Sequence, residues 1–136
     1  MTFWVTKVLS RSGLSLRELE LVAAARRGKP VICGIWGINE ISDDPMYVIR
    51  AELIRDLLVG RHGKLDPRGI MVRRGRITGK FDLDFVHGHA PLALRECIIE
   101  QPIQLFGAHL PLLDLSGSRI NSLLGDGLRI GRCCVG

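Results

Sequence analysis

The stretch Leu105 to Ile120 reads Leu-Phe-Gly-Ala-His-Leu-Pro-Leu-Leu-Asp-Leu-Ser-Gly-Ser-Arg-Ile, with Leu105, Leu110, Leu115 and Ile120 spaced five apart. After one skipped position, Ile130 and Val135 resume the phase. Two residues ahead of these anchors stand Ile103, Ala108, Leu113, Ser118, Leu128 and Cys133, each small or apolar. A stride of five matches neither the helical period near 3.6 nor the strand period of 2. It fits a chain that turns a square corner every five residues and sends one pair of side chains inward per side. Traced backwards, the same phase takes in Val72, Ile77, Leu83, Leu94 and Ile99, with an extra residue at Pro102 and a loop expected at His87 to Pro91.

Upstream of Ile70 the period changes. Ser15 and Glu18 form an S-x-x-E capping box, and Arg26, Arg27 and Gly28 supply a basic last turn and a stop. A helix over about 16–27 follows, with Leu19, Val22 and Ala23 expected as its apolar face. Val31 to Cys33 read as a short strand. Asp43-Asp44-Pro45 has the form of an acidic cap with Pro in the first turn, so a second helix is expected over 45–59. Its apolar stripe would be Ile49, Leu53, Ile54, Leu57 and Leu58, and it is placed over the first coil as a cap. The expected organisation is an N-terminal helical, capping segment over 1–69 and a β-helix over 70–136. The fold class is mainly β with N-terminal helices: a right-handed parallel, quadrilateral β-helix of about three coils.

Composition narrows the functional classes. Apolar residues make up 46% and charged residues 24% of 136 positions, which excludes a disordered chain. Aromatics are only 5%, so the interior must be built from Leu, Ile, Val and Ala, which suits a narrow core. No apolar run approaches the roughly 18 residues a membrane span needs. Cys33, Cys97, Cys133 and Cys134 make no CxxC pair and no zinc framework. Cys97 and Cys133 fall on inward positions, and the set reads as reduced thiols of a cytoplasmic protein.

The segments Gly107-Ala108-His109-Leu110 and Leu113-Asp114-Leu115-Ser116-Gly117-Ser118-Arg119-Ile120 resemble the pentapeptide-repeat proteins, whose repeat is A-(D/N)-L-x-x. The resemblance implies a right-handed quadrilateral β-helix with the central residue and the one two before it pointing inward. Ile49-Arg50-Ala51-Glu52-Leu53-Ile54 followed by Gly75-Arg76-Ile77-Thr78-Gly79-Lys80-Phe81-Asp82-Leu83 is similar to a group of long actinobacterial pentapeptide-like proteins. That likeness covers about 45–136 and corresponds to their N-terminal part. The phase ends at Val135-Gly136, so a short form or a piece of a longer solenoid is expected. These relatives carry the name "membrane-associated oxidoreductase", which implies an oxidoreductase as one reading. Other pentapeptide-repeat proteins imitate DNA, a role that needs an acidic rod; this chain has a net charge of +5.

The chemical motifs are weak. Gly125-Asp126-Gly127 with Gly131 has G-x-G-x-x-x-G spacing and continues the five-residue phase, so it reads as corners and not as a dinucleotide loop. Gly34 and Gly37 are read the same way. His87 and His89 could offer two imidazoles, but nothing completes a metal set. Asp82 and Asp84 alternate with Phe81, Leu83 and Phe85, the pattern of a strand with its apolar residues inward. Ser116 and Ser118 lack a nucleophile elbow, and Ser118 is expected to turn inward and bond a backbone carbonyl. No catalytic, cofactor or metal residue is assigned, and no cofactor is expected.

One charged feature stands out. The window 61–80 holds Arg61, Lys64, Arg68, Arg73, Arg74, Arg76 and Lys80 against Asp66 alone. It is a candidate patch for anions, whether nucleic acid or lipid headgroups, although no aromatics interleave to stack bases. The leading expectation is a non-catalytic scaffold or protein-interaction module. It would be cytoplasmic, or peripheral to a membrane, and would associate with itself or a protein partner through the strand edge of its last coil.

Overall fold

The computed structural model describes residues 13–127 and 129–134. The expected anchors Leu128 and Val135, and the stretch 1–12, lie outside the described residues. Helix α1 (Leu16–Arg27) begins as its capping box dictates: Ser15 Oγ accepts from the Glu18 amide at 3.1 Å, and Glu18 Oε1 accepts from the Ser15 amide at 3.0 Å. Gly28 ends it at φ 72°, its N–H bonded to the Ala24 carbonyl. The buried face is Glu18, Leu21, Ala24 and Ala25. The expected face was one position off: Ala23 is exposed, and Leu19 and Val22 are half-buried. The rotation follows from Glu18, which turns in to meet Arg50.

The second helix starts later than the sequence suggests. Asp44 closes a turn instead, accepting from the Met46 amide on its side chain and the Tyr47 amide on its carbonyl, each at 2.9 Å. A strand, Val48–Arg50, then intervenes before the helix Ala51–Leu58, which is α2. Val48 and Ile49 suit a strand because β-branched side chains pack well on a pleated surface. Ile49 is buried opposite Ile77. Leu53, Ile54, Leu57 and Leu58 form the expected buried stripe of α2.

The rest is parallel sheet. The largest runs β1 (Val31–Ile32), β3 (Ile70–Arg73), β6 (Leu92–Arg95), β10 (Leu113–Asp114) and β14 (Cys133–Cys134). A second orders β2 (Val48–Arg50), β4 (Arg76–Thr78), β7 (Ile98–Ile99) and β11 (Arg119–Ile120). A third orders β5 (Phe81–Asp82), β8 (Ile103–Gln104) and β12 (Leu123–Leu124). The fourth joins β9 (His109–Leu110) to β13 (Arg129–Ile130), with His87 bridged in parallel to His109. From Ile70 the chain visits the four sheets in one fixed order on every pass. Paired residues lie 22, then 21, then 20 residues apart: Ile70 with Leu92, Leu92 with Leu113, Leu113 with Cys133. Twenty is four strides of five. The surplus falls where the phase slips, between Ile77 and Leu83, Gly88 and Leu94, and Ile99 and Leu105.

Ile77, Leu83, Leu94, Ile99, Leu105, Leu110 and Leu115 are all buried in one continuous core. Cys97 is buried among them with its thiol reduced. Ser118 behaves as expected: its hydroxyl donates to the Leu94 carbonyl and accepts from the Cys97 amide at 3.0 Å. Two expectations fail. Phe85 is 73% exposed instead of inward, because its φ of 59° turns the chain and sends Val86 into the core. His87 is not a loop residue: its flanking backbone continues the fourth sheet, with Gly88 N–H on the His109 carbonyl at 2.9 Å.

The segment 13–69 is integral to these sheets, since β1 and β2 pair with β3 and β4 across the expected boundary at 69/70. Above β5 the next strand position is taken by α2. Arg55 Nη1 donates to the Asp82 carbonyl at 2.8 Å and the Asp84 carbonyl at 3.2 Å, so that edge of the third sheet is covered. No described helix is long and apolar enough to cross a membrane.

Candidate interaction surface

Every sheet ends at the same end of the molecule. β14, β11, β12 and β13 are the outer strands of their sheets. An outer strand offers one row of unpaired backbone donors and acceptors, which another strand can pair with.

Burial along equivalent positions shows what this end lacks. Phe81, Ile103 and Leu123 pair in register, and their exposures are 1%, 1% and 38%. Ile77 and Ile99 are buried while Ile120, next in the column, is half-buried. Leu110 is 3% exposed and its partner Ile130 is half-buried. Cys133, expected inward, is exposed, whereas its partner Leu113 is fully buried. These side chains stand in register with buried ones and are themselves less buried among the described residues. Leu124 adds an apolar group, 41% exposed, in a column whose earlier members are Asp82 and Gln104. A concave mouth of about 930 Å³ opens there, lined by Leu105, Leu110, Leu123 and Ile130, with His89, His109 and Arg129 as its polar rim.

The Cys133 thiol is pushed up, first by partial burial and then by Cys134 and Asp114, which opposes thiolate formation. The His87 and His109 rings stack with centroids 4.2 Å apart and planes at 2°. Burial, then His87, then Arg129 hold the His109 pKa below its ordinary value. Among the described residues no three His, Cys, Asp or Glu side chains converge as a metal set. Gly125, Asp126 and Gly127 lie in the turn between β12 and β13, and Gly34 packs against Tyr47 and Arg74.

The seven cations of the 61–80 window are distributed over several elements. Arg73 and Arg74 share Glu96, at 3.2 and 3.1 Å. Arg76 pairs with Glu100 at 2.8 Å, and Arg61 with Asp56 at 2.8 Å. Lys64, Arg68 and Lys80 are exposed and hold no ion pair among the described residues. The neutralising Glu96 and Glu100 come from the next pass of the chain. A count along the sequence cannot register that compensation.

Two features escaped the sequence reading. Leu123 stands two residues before the skipped anchor at Gly125, and the phase itself could have found it. The buried Asp114, 4% exposed, accepts from Arg95 Nε at 2.7 Å and from the Ser116 amide at 3.0 Å. Its burial carries no sequence signal, because carboxylates are usually exposed. The chain matches no family model, no curated protein and no solved structure.

Proposed function

We propose that the four parallel sheets are the walls of a right-handed quadrilateral β-helix of about three coils, related to the pentapeptide-repeat proteins. In this reading the protein is a non-catalytic interaction module that assembles with a second copy of itself through β11–β14. The observation that carries the proposal is the burial gradient. Leu123, Ile120 and Ile130 sit in register with buried residues and are less buried than they are, Leu123 being 38% exposed, on the outer strands of their sheets. Pairing with a second strand layer would satisfy the backbone edge and bury these side chains together. At about 25 cal/mol per Å² of apolar surface, covering a few such residues contributes several kcal/mol before the entropy of association. The opposite end favours no such pairing at the third sheet, because Arg55 already takes the carbonyls there.

Static light scattering over a micromolar concentration series tests this reading. Wild-type protein is expected to form dimers or larger species. Leu124→Lys, a charge on an exposed edge position, should return it to monomer that still melts cooperatively, without the rise of Tm with concentration that assembly gives the wild type. A wild-type monomer throughout the series would contradict the proposal.

A further inference from the structure

A groove of about 360 Å³ lies on the largest sheet, along β3, β6 and β10. It is made by strand periodicity. Ile70, Val72, Leu92 and Leu94 point into the core, so the alternating Met71, Arg73, Ala93 and Arg95 face outward. Met71 pairs in register with Ala93, and Arg73 with Arg95. The result is a two-by-two patch in which an apolar pair lies beside a cationic pair. Pro30, Pro91 and Leu112 extend the apolar lining, and Arg68 joins the rim just ahead of β3.

One cation at this groove is uncompensated. Of the three guanidinium groups that line it, Arg95 pairs with Asp114 and Arg73 with Glu96, while Arg68 holds no ion pair among the described residues. Asp114 is buried and spends itself on Arg95 Nε and on Ser116. A guanidinium carries five N–H donors. Arg95 and Arg73 each give only Nε to a carboxylate, which leaves their Nη donors available among the described residues. Arg68 is exposed and holds no ion pair there. Groups of this kind bind a carboxylate in a fork, with two parallel N–H···O bonds. The volume falls near the lower end of the range for small-molecule sites.

We infer that this groove is a binding site for a small organic anion, an apolar ring system bearing one carboxylate. The ring lies over Met71 and Ala93, and the carboxylate meets Arg68 and the Nη groups of Arg95. The inference stands on residues outside the strand-edge interface and is independent of the assembly reading.

Titration of the full chain with 2-naphthoate, followed through backbone amide shifts, tests it. The expected result is saturable shifts at Met71, Ala93 and Arg95. Binding of the uncharged 2-naphthamide should be weaker by about tenfold or more, the scale of one lost charge-assisted contact. Arg68→Glu should weaken naphthoate binding by a similar factor, and Arg68→Gln by less, both with an unchanged melt because the Arg68 side chain makes no hydrogen bond or ion pair among the described residues. Inorganic phosphate at equal ionic strength should leave these shifts in place, since it lacks the apolar body. The inference is overturned by any of four results: no saturable shift, equal binding of acid and amide, shifts confined to residues 119–134, or naphthoate binding unaffected by Arg68→Glu.

Discussion

Leu110 and Leu115 illustrate how single side chains carry this fold. Each is almost fully buried in its column. Truncation to Ala removes apolar contact and leaves a cavity that a narrow interior cannot collapse to fill. Leu110→Ala or Leu115→Ala should therefore cost about 2–5 kcal/mol in denaturant melts. Arg119→Ala, at an exposed position bonded only distantly to Asn39 Oδ1 at 3.3 Å, should cost less than about 0.5 kcal/mol. Glu18 joins α1 to the sheets through a different interaction. It is 2% exposed and accepts from the amide, Nε and Nη2 of Arg50, each at 3.0 Å. Burial alone would raise its pKa; the bonds from Arg50 and the Ser15 amide outweigh that and hold it low. Asp114 is also depressed: burial raises it, and Ser116 and Arg95 prevail. Both groups are more acidic folded than unfolded. Their contribution is therefore present above the unfolded values, 4.5 and 3.8, and is lost as pH falls through the folded ones. Thermal melts should show stability declining below about pH 4.5, with a shallower decline in Glu18→Gln and Asp114→Asn.

At the level of elements, tight stacking between passes makes some corners intolerant. Gly69 has φ 72°, and a Cβ there would lie 2.1 Å from the Pro91 carbonyl oxygen. Gly79 has φ 82° with open space around it. Both substitutions by Ala incur the left-handed backbone cost of about 1–2 kcal/mol. Gly69→Ala must also push two passes apart. It should destabilise by at least about 2 kcal/mol more than Gly79→Ala, measured by urea melts of the two variants. The elements also show what the sequence could reveal. α1 was legible because its capping box is local. β2 was hidden inside an apparent helix, since Ile49 fits a helical stripe and a strand equally well, and only its pairing with Ile77 decides. Phe85 was misplaced because a single left-handed residue reverses strand alternation, and nothing in the local pattern marks such a residue when it is not Gly.

For the molecule as a whole, the five-residue phase located the core from Val72 to Leu115, because inward spacing is a property of the chain alone. Surface electrostatics were not legible in this way. Parallel stacking places residue i beside residue i+20 to i+22, so the cations Arg73, Arg74 and Arg76 meet Glu96 and Glu100 from the following pass. The same stacking hides the groove of Met71, Ala93 and Arg95, whose members are scattered in sequence. It also sets the equivalent positions along which burial falls from Phe81 and Ile103 to Leu123. Amide hydrogen exchange at two protein concentrations tests this central claim most directly, because it reads the edge strands one by one. The account predicts that amides within 70–115 are protected at both concentrations. In β11, β12, β13 and β14 the amides that bond the preceding pass, such as Arg119 on the Cys97 carbonyl and Arg129 on the Ala108 carbonyl, should be protected at both, whereas the row of amides facing away from it should exchange freely in dilute solution and become protected as concentration rises. Exchange of that outward row that does not change with concentration would contradict assembly through these strands.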